Sequence, residues 1–318
     1  MAKIACLFPG QGSQSVGMGR DFHENFACAR ELFGQIDKSA GRSLSKLCFE
    51  GPAEELKRTL NTQPTILAVS LVAWHCYKQE GGPEPVMVAG HSLGEFSALY
   101  AAGSLSLSSV LPLVEKRAAL MEECPVGAMS AVLGVQYDQL KELCVQVTDE
   151  SKGDAKNVVI VANFNTREQL VISGDPDAVT KAGAKAKAAG GKVIPLAVGG
   201  AFHSPLMQDA ASEFNKLIDR SDFASAQVPV VQNYNALPAR DPGELKRNLR
   251  MQMISSVRWC ETIEYMLAQG VTDFVEIGPG KALSGMVKKI DRNARFYNIE
   301  DAASLRKTIE ALQSPVSA

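Results

Sequence analysis

The sequence predicts an α/β fold: a large domain built on a parallel sheet, interrupted by a smaller βαββαβ unit. Two observations carry this. Short apolar runs alternate with helical patterns along most of the chain, which is the signature of parallel strands with crossover helices. Residues from about Gly127 to Leu196 break that rhythm with an order of their own.

Ile4–Phe8 reads as the first strand. Asn61–Tyr77 is a long apolar helix, Val86–Ala89 a short buried strand, and Phe96–Ala102 and Ser109–Glu123 are two further helices. Met129–Leu133 then reads as a strand and Tyr137–Val147 as a helix. Val158–Ala162 and Gln169–Ser173 are strands joined by a turn. Asp175–Ala189 is a helix opening on Asp-Pro, a capping signal, and Lys192–Leu196 is a last strand. That order is the ferredoxin-like unit. The division expected is therefore 127–197 for an inserted domain, with 1–126 and 198–318 forming the discontinuous larger one. The α/β pattern resumes with Val228–Gln232 (strand), Pro242–Met253 and Thr262–Gln269 (helices), Phe274–Ile277 (strand) and Gly280–Lys289 (helix). Arg295–Asn298 and Ser304–Leu312 close the chain.

Composition narrows the function. The 318 residues are 46% hydrophobic and 21% charged, ordinary globular values. Lys plus Arg is 33 against 35 for Asp plus Glu, so no global basic field exists to hold nucleic acid. No apolar run approaches the ~20 residues of a membrane helix, and the start of the chain is too short for a signal sequence before Pro9-Gly10. The expected location is a bacterial cytoplasm, or a plastid or mitochondrial matrix if a transit peptide has been removed. The seven cysteines are scattered, with no C-x-x-C, which argues for reduced thiols and against a zinc site.

Gly90-His91-Ser92-Leu93-Gly94 has the G-x-S-x-G form between a strand and a helix. The glycines permit a sharp turn that exposes Ser92, and the helix start directs free N–H groups at the same point. The Leu93 amide is then placed to stabilise an oxyanion. A serine nucleophile needs a base. Of four histidines, His23 and His75 fall in helical patterns, and the His91 side chain should point away from the turn. His203, in Gly199-Gly200-Ala201-Phe202-His203-Ser204-Pro205, is the preferred base by elimination. No acid can be assigned to orient it, and a backbone carbonyl can do that work. Phe8-Pro9-Gly10-Gln11-Gly12-Ser13-Gln14 follows the first strand, where open α/β sheets bind ligands. G-x-G-x-x-G is not satisfied there, since Ser15 stands in the third position, and Gly278-Pro279-Gly280-Lys281 lacks the P-loop spacing. A loop amide as second oxyanion donor is the better use. Arg117 lies among apolar positions of a helix and could clamp a carboxylate; taken alone, an arginine so placed is more often a solvated helix charge, and spacing cannot promote it.

Those two motifs, with Gly200-Ala201-Phe202-His203-Ser204-Pro205-Leu206-Met207 and Glu276-Ile277-Gly278-Pro279-Gly280, occur in a fixed order. The chain closely resembles the malonyl-CoA:acyl carrier protein transacylase family of type II fatty acid synthesis, from about residue 4 to residue 290. The resemblance implies an α/β-hydrolase-like large domain with a ferredoxin-like insertion. It implies a Ser–His pair at Ser92 and His203, with oxyanion donors at the amides of Gln11 and Leu93. It implies Arg117 as the binder of the malonate carboxylate. Counting back from Val257-Arg258-Trp259, it implies that the backbone carbonyl of Gln252 orients the histidine. Malonyl-CoA is then the donor, holo acyl carrier protein the acceptor, no bound cofactor or metal is expected, and the enzyme is expected as a monomer. Phe202 resembles the malonyl-selective form of related acyltransferase modules. Carrier proteins are acidic, so a basic face is expected, with Lys181, Lys185 and Lys187 on one helix or Lys288, Lys289 and Arg292 on another. The alternatives are a thioesterase or esterase, an acyltransferase for another acyl group, and an inactive carrier-binding scaffold. Both Ser92 and His203 are present, so nothing supports the last.

Overall fold

A computed structural model describes residues 3–150 and 157–314. Strand β1 (Ile4–Phe8) is followed by helices α1 (Arg20–Asn25), α2 (Ala27–Ala40), α3 (Leu44–Glu50), α4 (Ala53–Lys57) and α5 (Thr59–Gln79), then by β2 (Met87–Gly90). Helices α6 (Gly94–Ala101) and α7 (Leu107–Glu122) lead to β3 (Ala128–Leu133), α8 (Tyr137–Glu150), β4 (Val159–Thr166), β5 (Gln169–Gly174), α9 (Pro176–Ala188) and β6 (Lys192–Pro195). After a 3₁₀ turn at Pro205–Met207 come α10 (Gln208–Arg220), β7 (Val230–Val231), β8 (Pro238–Ala239), α11 (Pro242–Gln252) and α12 (Trp259–Ala268). The chain closes with β9 (Asp273–Ile277), α13 (Ala282–Ile290), β10 (Arg295–Ile299) and α14 (Ala302–Gln313).

The larger sheet runs β10-β9-β1-β2-β7-β8. Its pairs are parallel except β7 with β8. Both faces are covered, which is why β1 reads Ile-Ala-Cys-Leu-Phe without polar alternation. Ile4, Cys6 and Phe8 join the core with α5, α6 and α7, whereas Ala5 and Leu7 pack with α12 and α13 on the other side. The smaller sheet runs β4-β5-β3-β6 and is wholly antiparallel. Leu170 and Ile172 of β5 face α8 and α9, while Val171 between them faces the larger core. The mixed α/β class with a separate antiparallel sheet is the one the sequence predicts.

Two expectations need correction. The turn after Ala162 is not there: β4 continues to Thr166, with register breaks at Val161/Asn163 and Phe164/Thr166. Such bulges let polar residues sit in a strand and turn toward one face. Between Arg20 and Lys57, and again at Gln208–Arg220, helices stand where no element was assigned. Helix α2 buries Ala29, Leu32, Phe33 and Ile36, and α10 buries Ala211, Phe214 and Ile218, both at helical spacing. The expected Asp-Pro start is present at α9, where the Asp175 side chain accepts from the amides of Asp177 and Ala178.

The sharpest packing constraint lies where β2 meets α6. A Cβ on Gly90 would fall 1.9 Å from the Gly94 backbone, and one on Gly94 would fall 2.0 Å from the Phe8 carbonyl oxygen. Backbone cannot yield there as a flexible side chain can. Gly90→Ala is therefore expected to cost at least about 3 kcal/mol of stability, read as a fall in the denaturation midpoint. Gly34→Ala is the control: Gly34 lies within α2 with nothing within 4 Å of its added Cβ. That change should stabilise by roughly 0.5–1 kcal/mol. Equal effects at the two positions would refute the close-approach argument.

Candidate active site

The strand–turn–helix at Gly90 to Gly94 places Ser92 at φ 52, in the left-handed region. His203 is likewise at φ 59. Among described residues only Ala236 shares this conformation without being glycine. Left-handed backbone costs an ordinary residue roughly 1–2 kcal/mol, and such strain persists only where surrounding structure holds it. The turns bring two residues 111 positions apart into contact: Ser92 Oγ lies 2.7 Å from His203 Nε2. His203 Nδ1 lies 2.9 Å from the carbonyl oxygen of Gln252. That carbonyl can only accept, so Nδ1 carries the proton and Nε2 presents its lone pair to the serine hydroxyl. The imidazole is thus set as a base without a carboxylate partner.

Arg117 stands on α7 and is 1% exposed. It is no solvated charge. Its Nη1 donates to Gln63 Oε1 at 2.8 Å, and its Nη2 donates to Gln252 Oε1 at 3.1 Å and Ser92 Oγ at 3.0 Å. The guanidinium carbon also lies 5.6 Å from the centre of the Phe96 ring, a cation–π arrangement. Its Nε is buried with no hydrogen-bond acceptor, and no carboxylate lies within ion-pair reach among the described residues. Burial pushes its pKa down to about 10, with Glu95 opposing the shift. It therefore stays a cation at neutral pH. A buried cation without a contacting anion is costly, and a substrate carboxylate would relieve it.

The same cation acts on the base. Burial first, then the positive charge of Arg117, depress the His203 pKa from 6.5 to about 3, and the Gln252 carbonyl opposes this. His203 is consequently neutral in the resting site.

The backbone N–H groups of Gln11 and Leu93 have no hydrogen-bond acceptor among the described residues. Leu93 immediately precedes α6, so its amide adds to the positive end of that helix. Gln11 sits on the β1 loop and lines the cleft that contains Ser92 and His203. The cleft is about 210 Å³. Met121, Met129, Val171, Leu196, Val198 and Met286 give it apolar walls, with Asn163 and Asn165 from the bulged β4 among its polar groups.

Of the sequence-predicted site residues, Ser92, His203, Gln252 and Arg117 are brought into direct contact, Gln11 lines the same cleft, and Leu93 directly follows the serine. Phe202 lines the cleft beside His203. The His91 side chain, expected to point elsewhere than the serine, lines the same cleft. Its Nε2 lies 2.8 Å from Asn165 Oδ1 and its ring meets the Trp259 ring edge-on. The two basic helices separate. Helix α9, carrying Lys181, Lys185 and Lys187, covers the face of the small sheet away from the cleft, and Lys185 pairs with Glu150 at 2.8 Å. Helix α13, ending in Lys288 and Lys289, lines the cleft through Ala282, Leu283 and Met286. Gln63 was missed, although its run Asn61, Thr62, Gln63 is polar in a buried helix, a visible signal. Asn163 and Asn165 were hidden by the expected turn.

The description "Acyl transferase domain" belongs to a family whose model matches residues 6–310. The chain is 43% identical over 317 residues to a malonyl CoA-acyl carrier protein transacylase of Bacillus subtilis (strain 168), covering 98% of each chain. The crystal structure of an acyl carrier protein S-malonyltransferase from Vibrio cholerae O1 biovar eltor superposes with TM-score 0.92 at 39% identity, over 96% of this chain and 100% of that one. A complex of a type II PKS acyl-carrier protein with its malonyl-transacylase, PlMCAT:AntF, superposes with TM-score 0.93 at 37% identity, over 98% of this chain and 100% of that one.

A depressed histidine pKa keeps the neutral base populated as pH falls. Labelling of Ser92 by an uncharged fluorophosphonate should therefore hold its rate from neutral pH down through 6.5, with the acid limb below that value. Arg117→Ala removes the second-largest cause of the depression, so the limb should move to higher pH. A limb at or above 6.5 in the unmodified enzyme would contradict the electrostatics.

Proposed function

The chain belongs to the acyl transferase domain family, and from that premise we propose that it moves the malonyl group of malonyl-CoA to the phosphopantetheine thiol of acyl carrier protein, in fatty acid synthesis. Ser92 is the nucleophile and His203 its base. The Ser92–His203 contact of 2.7 Å supports this pairing, and the Gln252 carbonyl at Nδ1 supports its orienting role. Ser92 Oγ attacks the thioester carbonyl carbon while Nε2 takes its proton. The oxyanion is held by the amides of Gln11 and Leu93. Collapse breaks the C–S bond, and the departing thiolate takes the proton back from the imidazolium, leaving coenzyme A and a malonyl-serine ester. In the second half the carrier thiol gives its proton to His203 and attacks the ester, and Ser92 leaves with that proton.

The observation that carries the malonyl assignment is the buried Arg117, whose Nη2 donates to Ser92 Oγ. A carboxylate two bonds from the reacting carbonyl is within reach of a cation so close to the nucleophile. It would supply the anion Arg117 lacks, whereas an uncharged acyl group would leave the cation buried and unpaired. The carboxylate also cancels part of the charge that depresses His203, so the base strengthens when the correct acyl group is bound. Residues 127–197 form an inserted domain under this reading and 1–126 with 198–318 the larger one; the separate sheet over Ala128–Pro195 supports that division. The enzyme works as a monomer without a bound cofactor. The acidic carrier approaches the α13 side, where Lys288, Lys289 and Arg292 are exposed at the end of the helix whose Ala282, Leu283 and Met286 line the cleft.

Radiolabelled malonyl-CoA followed by holo carrier protein tests this. Label should sit on Ser92, survive until the carrier is added and then move to it, and Ser92→Ala should take up none. Arg117→Ala should lower malonyl kcat/KM about 10²-fold, the loss of roughly 3 kcal/mol of charged hydrogen bonding, with acetyl transfer changed far less. Free malonate as the main product would mean a hydrolase, and an equal fall for acetyl would remove the carboxylate role.

A further inference from the structure

Behind the serine lies a buried carboxylate that the acyl-transfer steps do not use. Glu95, on the first turn of α6, is 1% exposed. Its partners are all donors. Gln232 Nε2 reaches Oε1 at 3.1 Å, and the Asn233 amide and Gln252 Nε2 reach Oε2 at 2.9 and 3.1 Å. A proton on either oxygen would find no acceptor here, so the geometry calls for the ionised form. Burial pushes the Glu95 pKa up, while these three donors and Arg117 pull it down.

The residues it holds are those that hold the reacting pair. Asn233 Oδ1 accepts the Ser92 backbone N–H at 2.7 Å and Asn233 Nδ2 donates to the Gly90 carbonyl at 2.7 Å, so one side chain ties both sides of the strained turn. Gln252 Nε2 also donates to the Ser92 carbonyl at 2.9 Å, while its own main-chain carbonyl orients His203. The serine turn therefore hangs from the side chains of Asn233 and Gln252 and the base from the Gln252 main-chain carbonyl, and Glu95 grips both residues, Asn233 by its backbone N–H and Gln252 by its side chain.

We propose that Glu95 is a positioning residue for acyl transfer, holding Asn233 and Gln252 so that Ser92 and His203 stay in line. The inference rests on the acyl-transfer reading above. An amide cannot replace the carboxylate, because its NH₂ would meet a donor at whichever oxygen it replaced. Gln232 cannot flip to help, since its Nε2 also donates to the Leu245 carbonyl and its Oε1 accepts from Asn248.

The test uses the full chain and an uncharged fluorophosphonate probe, which reads the Ser92–His203 pair without engaging Arg117 through a carboxylate. Glu95→Gln should slow the labelling rate constant and malonyl kcat by about 10²-fold, the order expected of a misplacement near 1 Å, with the KM for malonyl-CoA within about twofold. A merely structural loss would lower the labelling amplitude and the melting temperature but leave the rate constant of the folded fraction. Should Glu95→Gln not fold, Glu95→Asp decides: its shorter side chain draws the carboxylate back from the Asn233 N–H and Gln252 Nε2 and should slow labelling likewise. Labelling within about twofold of the unmodified enzyme in the folded variants overturns the proposal. Failure of the acyl-transfer reading looks different: the unmodified enzyme would react with the probe yet form no malonyl ester.

Discussion

The site depends on one backbone constraint, the turn that carries Ser92 between β2 and α6. Its φ of 52 is unfavourable for a serine. The turn survives because its flanks are packed to the limit, with Gly90 against Gly94 and Gly94 against the Phe8 carbonyl. A long-range side chain, Asn233, then takes both the Ser92 amide and the Gly90 carbonyl. The strain is thus carried by β1, β2 and the loop after β7 together, which is why one serine fixes the geometry of elements far apart in sequence.

The electrostatics follow from what the turn excludes. Among the described residues no carboxylate is bonded to His203; its Nδ1 partner is a neutral carbonyl. An aspartate there would raise the histidine pKa and pair with the nearby guanidinium. With a carbonyl instead, Arg117 remains a cation whose hydrogen bonds among the described residues go to neutral oxygens. The same charge weakens the base in the resting site. On the proposed reading selectivity and rate are coupled: an acyl group that pairs with Arg117 would also restore the base, while one that cannot pair would leave His203 depressed and Arg117 donating to the nucleophile.

What the sequence reveals depends on whether a role is local. Ser92 and the Leu93 amide belong to one strand–turn–helix motif, and His203 stands out because only four histidines exist. The sheet strands are legible because buried parallel strands are continuous apolar runs. Arg117 is not legible by spacing, since its burial is decided by α5 and Gln63, over fifty positions away. Gln252 and Gln11 came only from the resemblance, because they act through backbone groups that any residue possesses. Glu95 and Asn233 serve as the ends of contacts 137 or more residues long, and no pattern along the chain marks such pairs. The strand β4 was cut short for a different reason: Asn163 and Asn165 read as a turn, and only the bulges explain polar residues in a strand that borders the cleft.

The Glu276-to-Gly280 motif has no group in the acyl-transfer steps, yet packing gives it a place in them. The loop after β1 is pressed between two others. A Cβ on Gly10 would fall 2.5 Å from the His91 carbonyl oxygen, and one on Gly278 would fall 2.9 Å from the Pro9 ring. Gly278 stands at φ 134, so both conformation and space reserve the position for glycine. The residues just before Gln11 are thus packed between the serine turn on one side and the β9 loop on the other, while the Gln11 main-chain N–H has no acceptor among the described residues. Glu276 extends the same support, its two oxygens accepting the amides of Leu283 and Ser284 at 3.0 and 2.7 Å and fixing the start of α13. Leu283 and Met286 of that helix line the cleft. An oxyanion site built from main-chain N–H groups, as proposed for Gln11 and Leu93, needs its backbone in place before the charge develops, and the close packing at Gly10, Gly94 and Gly278 supports that preorganisation.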